Sequence, residues 1–352
     1  MSQILIYGAY GYTGRLLAGI ARNANVTVVL AGRNENKLQE LAAKMNLPFS
    51  VFDLENEGKL EEVLKDTSIV INAAGPFTHT AKKMMEACLK TKTHYLDITG
   101  EIEVFELAKS FSERAVESDI MLMPGVGFDV VPTDCMAAFL KKQLPEAVSL
   151  ELAFAPLGKG GASRGTALTM VENLGKPGAI RKEGVIAREA VGERTMRLPL
   201  GDKKLFFISI PWGDVSTAFY TTKIPNIVTY MSIPPKQYKW IKRQRYFNWL
   251  LRSNFVKKIA KNKINKGSDG PSAMERFNSK TLVWGLVRDA SGKKEEARII
   301  IPNGYDVTAD MGIRIARKIL NGNWNPGFQT PAGCYGEGLI LEMDGIAWER
   351  PF

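Results

Sequence analysis

The feature that most constrains the fold is an alternation of short apolar segments and helical segments from Gln3 to Phe128. The apolar segments read ILIY, VTVVLA, FSVF, SIVIN, HYLDI and IMLM, and the stretches between them have helical spacing. Parallel strands joined by right-handed helical crossovers produce this pattern, and such sheets bind ligands at the carboxyl ends of their strands. The sequence therefore predicts an α/β fold with a doubly wound parallel sheet.

The second half of the chain has a different pattern and predicts a second domain. Single hydrophobic cores stop growing at about 250–300 residues, so a chain of 352 residues has room for two. Beyond Phe139, β-like pieces such as KLFFISI and NIVTYMSI alternate with glycine and proline, which indicates a mixed sheet. The stretch TLVWGLVRDASGKKEEARIIIP predicts two strands joined by a tight polar turn at a sheet edge.

A glycine-spaced turn, GAYGYTG, follows the first apolar segment and precedes a predicted helix over Arg15 to Asn23. Its glycines are Gly8, Gly11 and Gly14, a GxxGxxG variant of the better-known GxGxxG pattern. Glycines at these points allow a tight turn, close approach of the backbone to a pyrophosphate and close packing of helix on strand, while the helix N-terminus adds a positive dipole. The turn predicts a dinucleotide phosphate site. A glycine turn without a ligand is the alternative.

The end of the second apolar strand distinguishes NADP from NAD. An NAD site needs an acidic residue there to accept hydrogen bonds from the ribose 2′-OH. This chain has Gly32, Arg33 and Asn34, followed by Lys37. A guanidinium stacks on adenine and pairs with a 2′-phosphate, so the sequence favours NADP. The alternative is that Arg33 is a solvated charge at a strand end.

Later strand ends supply further candidates for contacts with the dinucleotide. Asp53 ends the third strand and is placed to reach the adenine. Ala73, Gly75 and Pro76 follow the fourth strand, where small residues let the nicotinamide ribose approach the backbone. These expectations follow from the rule that ligands bind at the carboxyl ends of parallel strands.

Seven segments occur in order over nearly the full length of the chain: GAYGYTG, AGRNENKL, NAAGPF, HYLDITGE, GVGFDVVPTDC, SRGTALTM and TPAGCYGEGL. With them the chain resembles the saccharopine dehydrogenase-like oxidoreductases, in particular the branch that includes the trans-acting enoyl reductases. The resemblance implies a Rossmann domain that uses NADP(H) and a substrate domain inserted after the sixth strand. It leaves the substrate open, since members of the family reduce imines, C=C bonds of lipid precursors and other groups.

The resemblance also implies domain ranges and cofactor contacts. It places an NADP-binding Rossmann domain at 1–140, an α+β substrate domain built on a mixed sheet at 141–305, and a C-terminal segment, 306–352, that packs back on the first domain. With Lys37 added, the predicted cofactor contacts are Gly8, Tyr10, Gly11, Tyr12, Thr13, Gly14, Arg33, Asn34, Lys37, Asp53, Ala73, Gly75 and Pro76. Enzymes that form saccharopine need cations for the carboxylates of an amino diacid. No such cluster can be placed here, so the chain resembles the lipid-side branch.

Candidates for acid–base chemistry lie near the ends of the later strands. Hydride transfer from a nicotinamide needs no protein nucleophile, but it does need a proton donor beside the acceptor. Tyr95 and Asp97 follow one strand and Asp129 follows the next, and a tyrosine or carboxyl in a dry cleft can donate a proton if its pKa is tuned. We predict these three as catalytic residues. The alternative is that Asp97 caps the next helix and Tyr95 packs in the sheet.

Other polar and aromatic residues near the same strand ends are candidates for contact with a substrate. His79 is one of only two histidines, and a surface position is its alternative. The predicted substrate-side residues are Phe77, His79, Thr99, Glu101, Phe128 and Arg164. A short-chain dehydrogenase is disfavoured, because among the ten tyrosines its Tyr-x-x-x-Lys pair occurs only at Tyr238 and Lys242, in the basic segment outside the predicted nucleotide domain.

The positive charge of the chain is concentrated in one segment, from Lys236 to Lys266. This segment holds eleven Lys or Arg and no Asp or Glu, whereas the net charge of the whole chain is +10. Aromatic and aliphatic residues recur through it at intervals near four and seven, which predicts a basic amphipathic helix. Three interpretations stay open: contact with an anionic membrane, steering of an acidic substrate or carrier, and a helix packed on the substrate domain with a solvated basic face.

Composition restricts the remaining classes of function. The three cysteines are isolated, which argues against a disulfide framework or a zinc site, and no metal is predicted. The N-terminus lacks the pattern of a secretory signal, and no apolar run reaches the length of a membrane span. A cytoplasmic protein, peripheral on the inner membrane face, is expected. A lone basic patch without a nucleic-acid-binding fold is weak support for nucleic acid, which is not expected as a partner.

The sequence as a whole predicts an NADPH-dependent oxidoreductase that transfers hydride to a C=C or C=N bond of an apolar, lipid-derived substrate. One alternative is a non-catalytic NADPH-binding sensor or a membrane-associated interaction protein. Another is an amino-acid imine reductase of the saccharopine-reductase type. The oligomeric state, the direction of the reaction and the proton donor stay open.

Overall fold

The computed structural model describes residues 3–158 and 161–349, which form two compact units. The first unit runs to Val131 and also contains Gly304–Cys334. The second unit contains Pro132–Asn303 and continues from Tyr335. The predicted class, a doubly wound parallel sheet together with a second domain on a mixed sheet, is confirmed by the sheet topology.

The first unit contains a seven-stranded parallel sheet. Its strands are β1 (Ile4–Tyr7), β2 (Val28–Gly32), β3 (Phe49–Val51), β4 (Ile69–Asn72), β5 (His94–Asp97), β6 (Met121–Met123) and β15 (Gly327–Phe328). They lie in the order β15-β6-β5-β4-β1-β2-β3. The connection from β3 to β4 therefore crosses to the other side of β1, and the later strands add on that side. The central strands β1 and β4 are buried along their whole length, as expected for a parallel sheet covered by helices on both faces.

The helices of the first unit connect these strands. They are α1 (Tyr12–Asn23), α2 (Glu35–Met45), α3 (Glu57–Lys65), α4 (Phe77–Thr91), α5 (Ile102–Ser110), α6 (Ser112–Glu117) and α14 (Gly304–Leu320). Helix α14 returns from the far end of the sequence and packs closely on α1, because a Cβ at Gly312 would lie 2.8 Å from the Leu17 side chain. Because the strands are parallel, the loops that lead from each strand to the next helix lie at the carboxyl edge of the sheet.

The second unit contains a mixed sheet. Its strands are β7 (Ser149–Leu157), β8 (Gly178–Lys182), β9 (Val185–Glu189), β10 (Thr195–Leu200), β11 (Lys203–Ser209), β12 (Asn226–Ser232), β13 (Lys280–Arg288) and β14 (Lys294–Pro302). The main path is β10-β11-β12-β7-β13-β14, and only the β12–β7 pair on this path is parallel. Strands β13 and β14 form the predicted hairpin, with β14 at the edge of the sheet.

The helices of the second unit include the whole basic segment. The helices of this unit are α8 (Arg164–Glu172), α9 (Asp214–Thr222), α10 (Pro235–Gln244), α11 (Asn248–Leu251), α12 (Asn254–Asn265) and α13 (Ala273–Phe277). Two further helices, α7 (Val131–Gln143) and α15 (Pro331–Tyr335), lie at the boundaries between the units. Short 3₁₀ turns occur at Arg245–Phe247 and Leu339–Glu342. The segment predicted as one amphipathic helix at 236–266 is thus three helices and a 3₁₀ turn. Ser253 starts α12 afresh, because its side chain accepts a hydrogen bond from the Val256 N–H and caps that helix.

The unit boundaries differ from the predicted ranges 1–140, 141–305 and 306–352. The first unit ends at Val131, because α7 packs on β13 in the second unit: a Cβ at Gly285 would lie 2.7 Å from the side chains of Met136 and Leu140. The last residues also belong to the second unit. There the Trp348 ring stacks on Phe139 at 4.9 Å between centroids. Of the predicted C-terminal segment, only the part up to Cys334 groups with the first unit.

Among the helices within residues 3–158 and 161–349, none has both the length and the apolar character that crossing a bilayer requires.

Candidate functional site

The glycine turn after β1 is packed so tightly that it excludes side chains. Gly8 has φ +81°, and a Cβ there would lie 2.9 Å from backbone atoms of Ala73 and Ala74, in the loop after β4. A Cβ at Gly14 would lie only 2.4 Å from the Gly8 carbonyl oxygen. Gly11 precedes the first turn of α1 and has no side chain with which to cap it. The turn thus leaves an open cradle at the N-terminus of α1, which fits a dinucleotide phosphate.

The residues between the glycines hold the shape of this turn. The Arg15 guanidinium donates a hydrogen bond of 2.8 Å to the Tyr10 carbonyl oxygen. The Tyr12 ring packs edge-on against Tyr305 of α14, with 5.0 Å between centroids. Thr13, in the first turn of α1, is half-buried. These contacts support the turn from the outside. Within it, the N–H groups of Gly8 and Ala9 donate to the Ala31 carbonyl, and the N–H of Gly11 donates to the Gly8 carbonyl.

The end of β2 lies under the Tyr10 ring and is followed by two exposed cations, Arg33 and Lys37. The Tyr10 ring lies over Gly32, where a Cβ would be 2.7 Å from the Tyr10 Cε1 atom. Lys37 Nζ is 5.8 Å from the centroid of the same ring. Arg33, the residue after Gly32, is exposed. Asn34 caps α2, since its side chain accepts a hydrogen bond of 3.0 Å from the Lys37 N–H. The side chains that remain open to a phosphate here are the two cations.

Asp53 lies at the neighbouring strand end and is exposed. The chain is held there by a hydrogen bond of 3.0 Å from the Phe52 N–H to the Gly32 carbonyl, which joins the ends of β2 and β3. Burial raises the pKa of Tyr7 to about 12, with the Asp53 charge acting in the same direction and Arg33 opposing it. Contact of Asp53 with an adenine stays a prediction.

The loop after β4 is held by Asn72, a residue that the sequence analysis missed. Asn72 is fully buried, its Oδ1 accepts from the Ala74 N–H at 3.1 Å, and its Nδ2 donates to Thr80 Oγ1 at 3.1 Å. The Thr80 hydroxyl donates in turn to the Ala74 carbonyl at 2.8 Å. The predicted contacts Ala73 and Gly75 lie in this loop. A polar residue at the end of a buried apolar strand was the available signal for Asn72, because such a side chain must find partners.

Glu101 caps helix α4, which removes it from the predicted substrate side. Its carboxylate accepts hydrogen bonds from the N–H groups of Phe77 at 2.9 Å and Thr78 at 3.0 Å, in the first turn of that helix. The Phe77 side chain is buried in the core of the first unit. Thr99 is buried as well, and its hydroxyl accepts from the Glu101 N–H at 3.0 Å. Three predicted substrate contacts are therefore structural, because each side chain faces the protein interior.

Tyr95 and Asp97 form a buried hydrogen-bonded pair, which contradicts their predicted contact with a substrate. Both have zero exposure, and the Tyr95 hydroxyl donates to Asp97 Oδ2 at 2.6 Å. Asp97 Oδ1 accepts from the backbone N–H groups of Thr99 at 3.0 Å and Gly125 at 2.9 Å. The pair joins the end of β5 to the loop after β6. Of the alternative, the packing of Tyr95 in the sheet agrees with the structure, but Asp97 does not cap the following helix, which begins at Ile102.

Burial raises the pKa of Asp97 to about 7, against the opposing effect of its hydrogen bonds. The folded protein therefore keeps this proton as pH rises from about 4 to 7, while the unfolded chain releases it. The free energy of unfolding should fall over this range by roughly 2–4 kcal/mol on account of this group. In Asp97→Asn this part of the pH dependence should vanish, as measured by urea unfolding at several pH values. The control Asp66→Asn, at an exposed carboxylate, should keep the wild-type pH dependence. If the free energy of unfolding of Asp97→Asn fell with pH as steeply as that of the wild type, the raised pKa would not belong to Asp97.

Asp129 keeps a position suited to acid–base chemistry. It lies after β6, on the carboxyl edge of the sheet, and is half-buried. Its side chain packs on Gly100, where a Cβ would be 3.2 Å from the Asp129 Cβ. Burial raises the pKa of Asp129 to about 7, and the nearby Glu101 charge acts in the same direction. A carboxyl with this pKa is both an available acid and an available base at neutral pH.

The remaining predicted substrate contacts have different surroundings. His79 is exposed in the first turn of α4, which fits its surface alternative. The half-buried Phe128 packs on Gly304, and its N–H donates to the Thr308 hydroxyl at 2.9 Å. In the second unit, Arg164 forms an ion pair of 2.9 Å with Asp269 and also donates to the Gly267 carbonyl at 2.9 Å. Its guanidinium is thus already engaged within its own unit.

Known proteins resemble the chain in both sequence and fold. Residues 4–123 match the family of saccharopine dehydrogenase NADP binding domains. A lipid droplet localized protein of Caenorhabditis elegans is 27% identical over 240 residues, which are 60% of this chain and 56% of that protein. A trans-acting enoyl reductase of Mycobacterium ulcerans is 28% identical over 159 residues, 43% of this chain and 38% of the relative. The chain thus spans less than two thirds of either relative.

A solved structure shows the same fold over the whole chain. Apo saccharopine dehydrogenase (L-Glu forming) from Saccharomyces cerevisiae superimposes with a TM-score of 0.68 and 13% identity, and the match covers 100% of both chains. The similarity to the family thus includes the cradle at α1 and the cationic end of β2, which lie within the matched range. Residues 4–123 are therefore similar to the saccharopine dehydrogenase NADP binding domain, and the chain has the fold of saccharopine dehydrogenase.

Proposed function

We propose that the protein is an NADPH-dependent oxidoreductase that transfers hydride to a C=C or C=N bond of an apolar, lipid-derived substrate. The observation that carries the proposal is the pairing of the side-chain-free cradle at α1 with the cationic end of β2. Arg33 and Lys37 are both exposed there, and Lys37 Nζ lies 5.8 Å from the centroid of the Tyr10 ring. A phosphate on the ribose would meet charge-assisted hydrogen bonds at this point, and NADH carries no such phosphate.

Bound NADPH would supply the hydride, and the chain would supply position and a proton. The turn from Gly8 to Gly14 would orient the pyrophosphate through its backbone. The loop held by Asn72 would support the nicotinamide half of the cofactor in the same way. Asp129 is the proposed proton donor: its carboxyl gives a proton to the substrate atom next to the one that receives hydride, so a C=C or C=N bond gains one hydrogen at each end. The Asp129 carboxylate then takes up a proton from solvent.

The apolar class of substrate is supported by the names of two relatives, one localised to lipid droplets and one an enoyl reductase. Arg164 also argues against an amino diacid, because its guanidinium is paired with Asp269. A cytoplasmic location is part of the proposal. It is consistent with Cys88 and Cys135, which are buried free thiols rather than members of a disulfide.

Replacing Arg33 tests the cofactor assignment. Removal of a charge-assisted partner costs about 1.5–3 kcal/mol, so Arg33→Ala should weaken NADPH binding roughly 10–100-fold. NADH binding should fall less, since NADH keeps the adenine on which the guanidinium stacks but has no 2′-phosphate. Titration of both nucleotides by fluorescence measures the two affinities. Arg22→Ala is the matched control, because Arg22 is an exposed arginine at the far end of α1.

Equal affinity of the wild-type protein for NADH and NADPH would contradict the proposed selection. Turnover is measured separately, as substrate-dependent loss of NADPH absorbance with a panel of apolar enones, acyl compounds and imines. Binding of NADPH without turnover of any member would favour the sensor instead. Turnover confined to imines of amino acids would favour the imine reductase.

A further inference from the structure

The basic segment is anchored to the second unit through the inner faces of its helices. In α10, the Tyr238 hydroxyl donates to the Gly192 carbonyl at 3.2 Å, and its ring packs edge-on against Phe206 at 5.2 Å. In α12, Lys257 Nζ donates to the Glu172 carbonyl at 2.9 Å, and Lys261 forms an ion pair with the Glu172 carboxylate. The segment is thus held from both ends.

The large apolar side chains of the segment point away from these anchors. Trp240 and Trp249 are each 74% exposed, and Phe255 is 72% exposed. The whole exposed apolar set from α10 to α12 is Trp240, Tyr246, Phe247, Trp249, Leu250, Phe255 and Ile259. The packed-helix interpretation accounts for the inner faces of these helices, but it gives no role to the exposed aromatic side chains. Exposed apolar surface on this scale marks an interaction site.

Cations surround these apolar side chains. On α12, Phe255 and Ile259 are one turn apart and share the outer face with Lys258, Lys263 and Lys266, because Lys257 and Lys261 face Glu172 on the inner side. On α10, Trp240 has the same relation to Lys236, Lys239 and Arg243, since Tyr238 faces inward. Among the side chains of the segment that the structure describes, the exposed cations without an inward contact shown here are Lys236, Lys239, Arg243, Lys258, Lys263 and Lys266. Two further exposed cations are directed inward, Arg252 to the Gly175 carbonyl and Lys242 to the Tyr238 ring.

We propose that these residues, here named the aromatic-basic face, dock the protein on an anionic phospholipid surface. Trp and Tyr side chains favour the headgroup level, Leu, Ile and Phe insert below it, and each cation near an anionic membrane surface contributes about 1 kcal/mol. The absence of any Asp or Glu from Lys236 to Lys266 matches the uniform charge of such a surface. This inference goes beyond the proposed reaction and does not depend on it.

Other partners fit the aromatic-basic face less well. A second copy of the chain in a two-fold dimer would bring the same cations against themselves, and like charges across an interface cost several kcal/mol. An acidic carrier protein would match the charge, but it needs no row of exposed tryptophan and aliphatic side chains. Single-stranded nucleic acid would stack on the aromatic rings but offers no apolar interior for Leu250 and Ile259.

Co-sedimentation of the full chain with lipid vesicles tests the proposal. We expect binding to phosphatidylcholine vesicles that contain phosphatidylglycerol, a blue shift of tryptophan fluorescence on binding, and weaker binding as salt rises. Two double variants, Lys258→Glu with Lys263→Glu and Trp249→Ser with Phe255→Ser, should each lower the partition coefficient about tenfold or more. The altered side chains are on the surface, so both variants should keep their NADPH affinity.

Matched controls come from exposed residues of the first unit. Lys44→Glu with Lys65→Glu reverses two exposed lysines, and Val116→Ser removes an exposed apolar side chain. Both control variants should bind vesicles like the wild type. The proposal is overturned if the wild type ignores anionic vesicles, binds neutral ones equally well, or loses nothing in the two face variants.

Competing partners give distinct results in the same experiments. A dimer in solution that Trp249→Ser dissociates, without vesicle binding, would identify the aromatic-basic face as a contact between copies. Binding of a single-stranded oligonucleotide or of an acidic carrier protein that the face variants abolish, again without vesicle binding, would also overturn the membrane assignment. Reductase activity is recorded separately and affects none of these outcomes.

Discussion

Gly14→Ala is expected to destabilise the protein by about 1–3 kcal/mol and to weaken NADPH binding by at least about tenfold. The added methyl group would lie 2.4 Å from the Gly8 carbonyl oxygen and 2.8 Å from two backbone atoms of Ala9. Backbone atoms cannot move aside as a flexible side chain can, so α1 and the turn must separate. Because the same turn forms the phosphate cradle, its displacement changes both stability and affinity.

Gly19→Ala is the matched control for this prediction. Gly19 is in the same helix, α1, and a Cβ there meets no atom within 4 Å. Alanine in a helix interior is favoured over glycine by about 0.5–1 kcal/mol, so this variant should be slightly more stable and should bind NADPH normally. Urea unfolding and fluorescence titration measure both effects. If the two variants behaved alike, close packing at Gly14 would have no part in the site.

Asp129→Asn should lower NADPH-dependent turnover by about 10²–10⁴-fold, the usual range for loss of a positioned general acid. The affinity for NADPH should stay unchanged, because Asp129 is not among the predicted cofactor contacts. The pKa of Asp129 is raised to about 7 by burial and by Glu101, so the acid form is lost as pH rises through 7. Wild-type turnover should therefore fall above about pH 7, and this limb of the profile should be absent from the residual activity of the variant.

The pH profile separates a proton donor from a merely structural carboxyl. Turnover is followed by NADPH absorbance, on whichever member of the enone and imine panel the wild-type protein consumes fastest. Asp119→Asn is the control, since Asp119 is exposed and its left-handed backbone suits asparagine. If Asp129→Asn kept wild-type turnover with the same decline above pH 7, another group would have to donate the proton.

The nucleotide half of the fold could be predicted because local rules determine it. Strand periodicity, the glycine spacing and the residues after β2 each depend on neighbours within a few positions. The turn at Gly8 and Gly14 therefore follows directly from the sequence, whereas the strand order around β1 depends on pairing between distant segments and was not predicted. The cap at Ser163 was predictable for the same reason: its side chain accepts from the Thr166 N–H, three residues along.

Predictions that depended on the depth of a side chain were less successful. Tyr95 and Asp97 stand at a strand end in sequence, but the loop after β6 covers them and supplies the Gly125 N–H as a partner. Glu101 was read as a substrate contact because its partner, the first turn of α4, is more than twenty residues away in sequence. The boundary at residue 140 failed because α7 packs on a strand that comes much later in the chain.

For the aromatic-basic face, the apolar periodicity predicts amphipathic helices and leaves three interpretations open. The periodicity does not indicate which side of each helix meets the domain. The side that packs is set by the Tyr238 contact in α10 and by Glu172 opposite α12, and Glu172 is more than eighty residues away in sequence. The aromatic residues consequently lie outside.

The cap on α4 also determines which helix can receive an anion. Helices α1 and α4 both begin at the carboxyl edge of the sheet, so each directs the positive end of its dipole there. At α4 the Glu101 carboxylate already occupies the first-turn N–H groups and neutralises that end. At α1 the residue in the capping position is Gly11, which has no side chain to do the same. Of these two helix N-termini, that of α4 is capped by the protein's own carboxylate and that of α1 is not, so we expect a pyrophosphate at α1 rather than at α4.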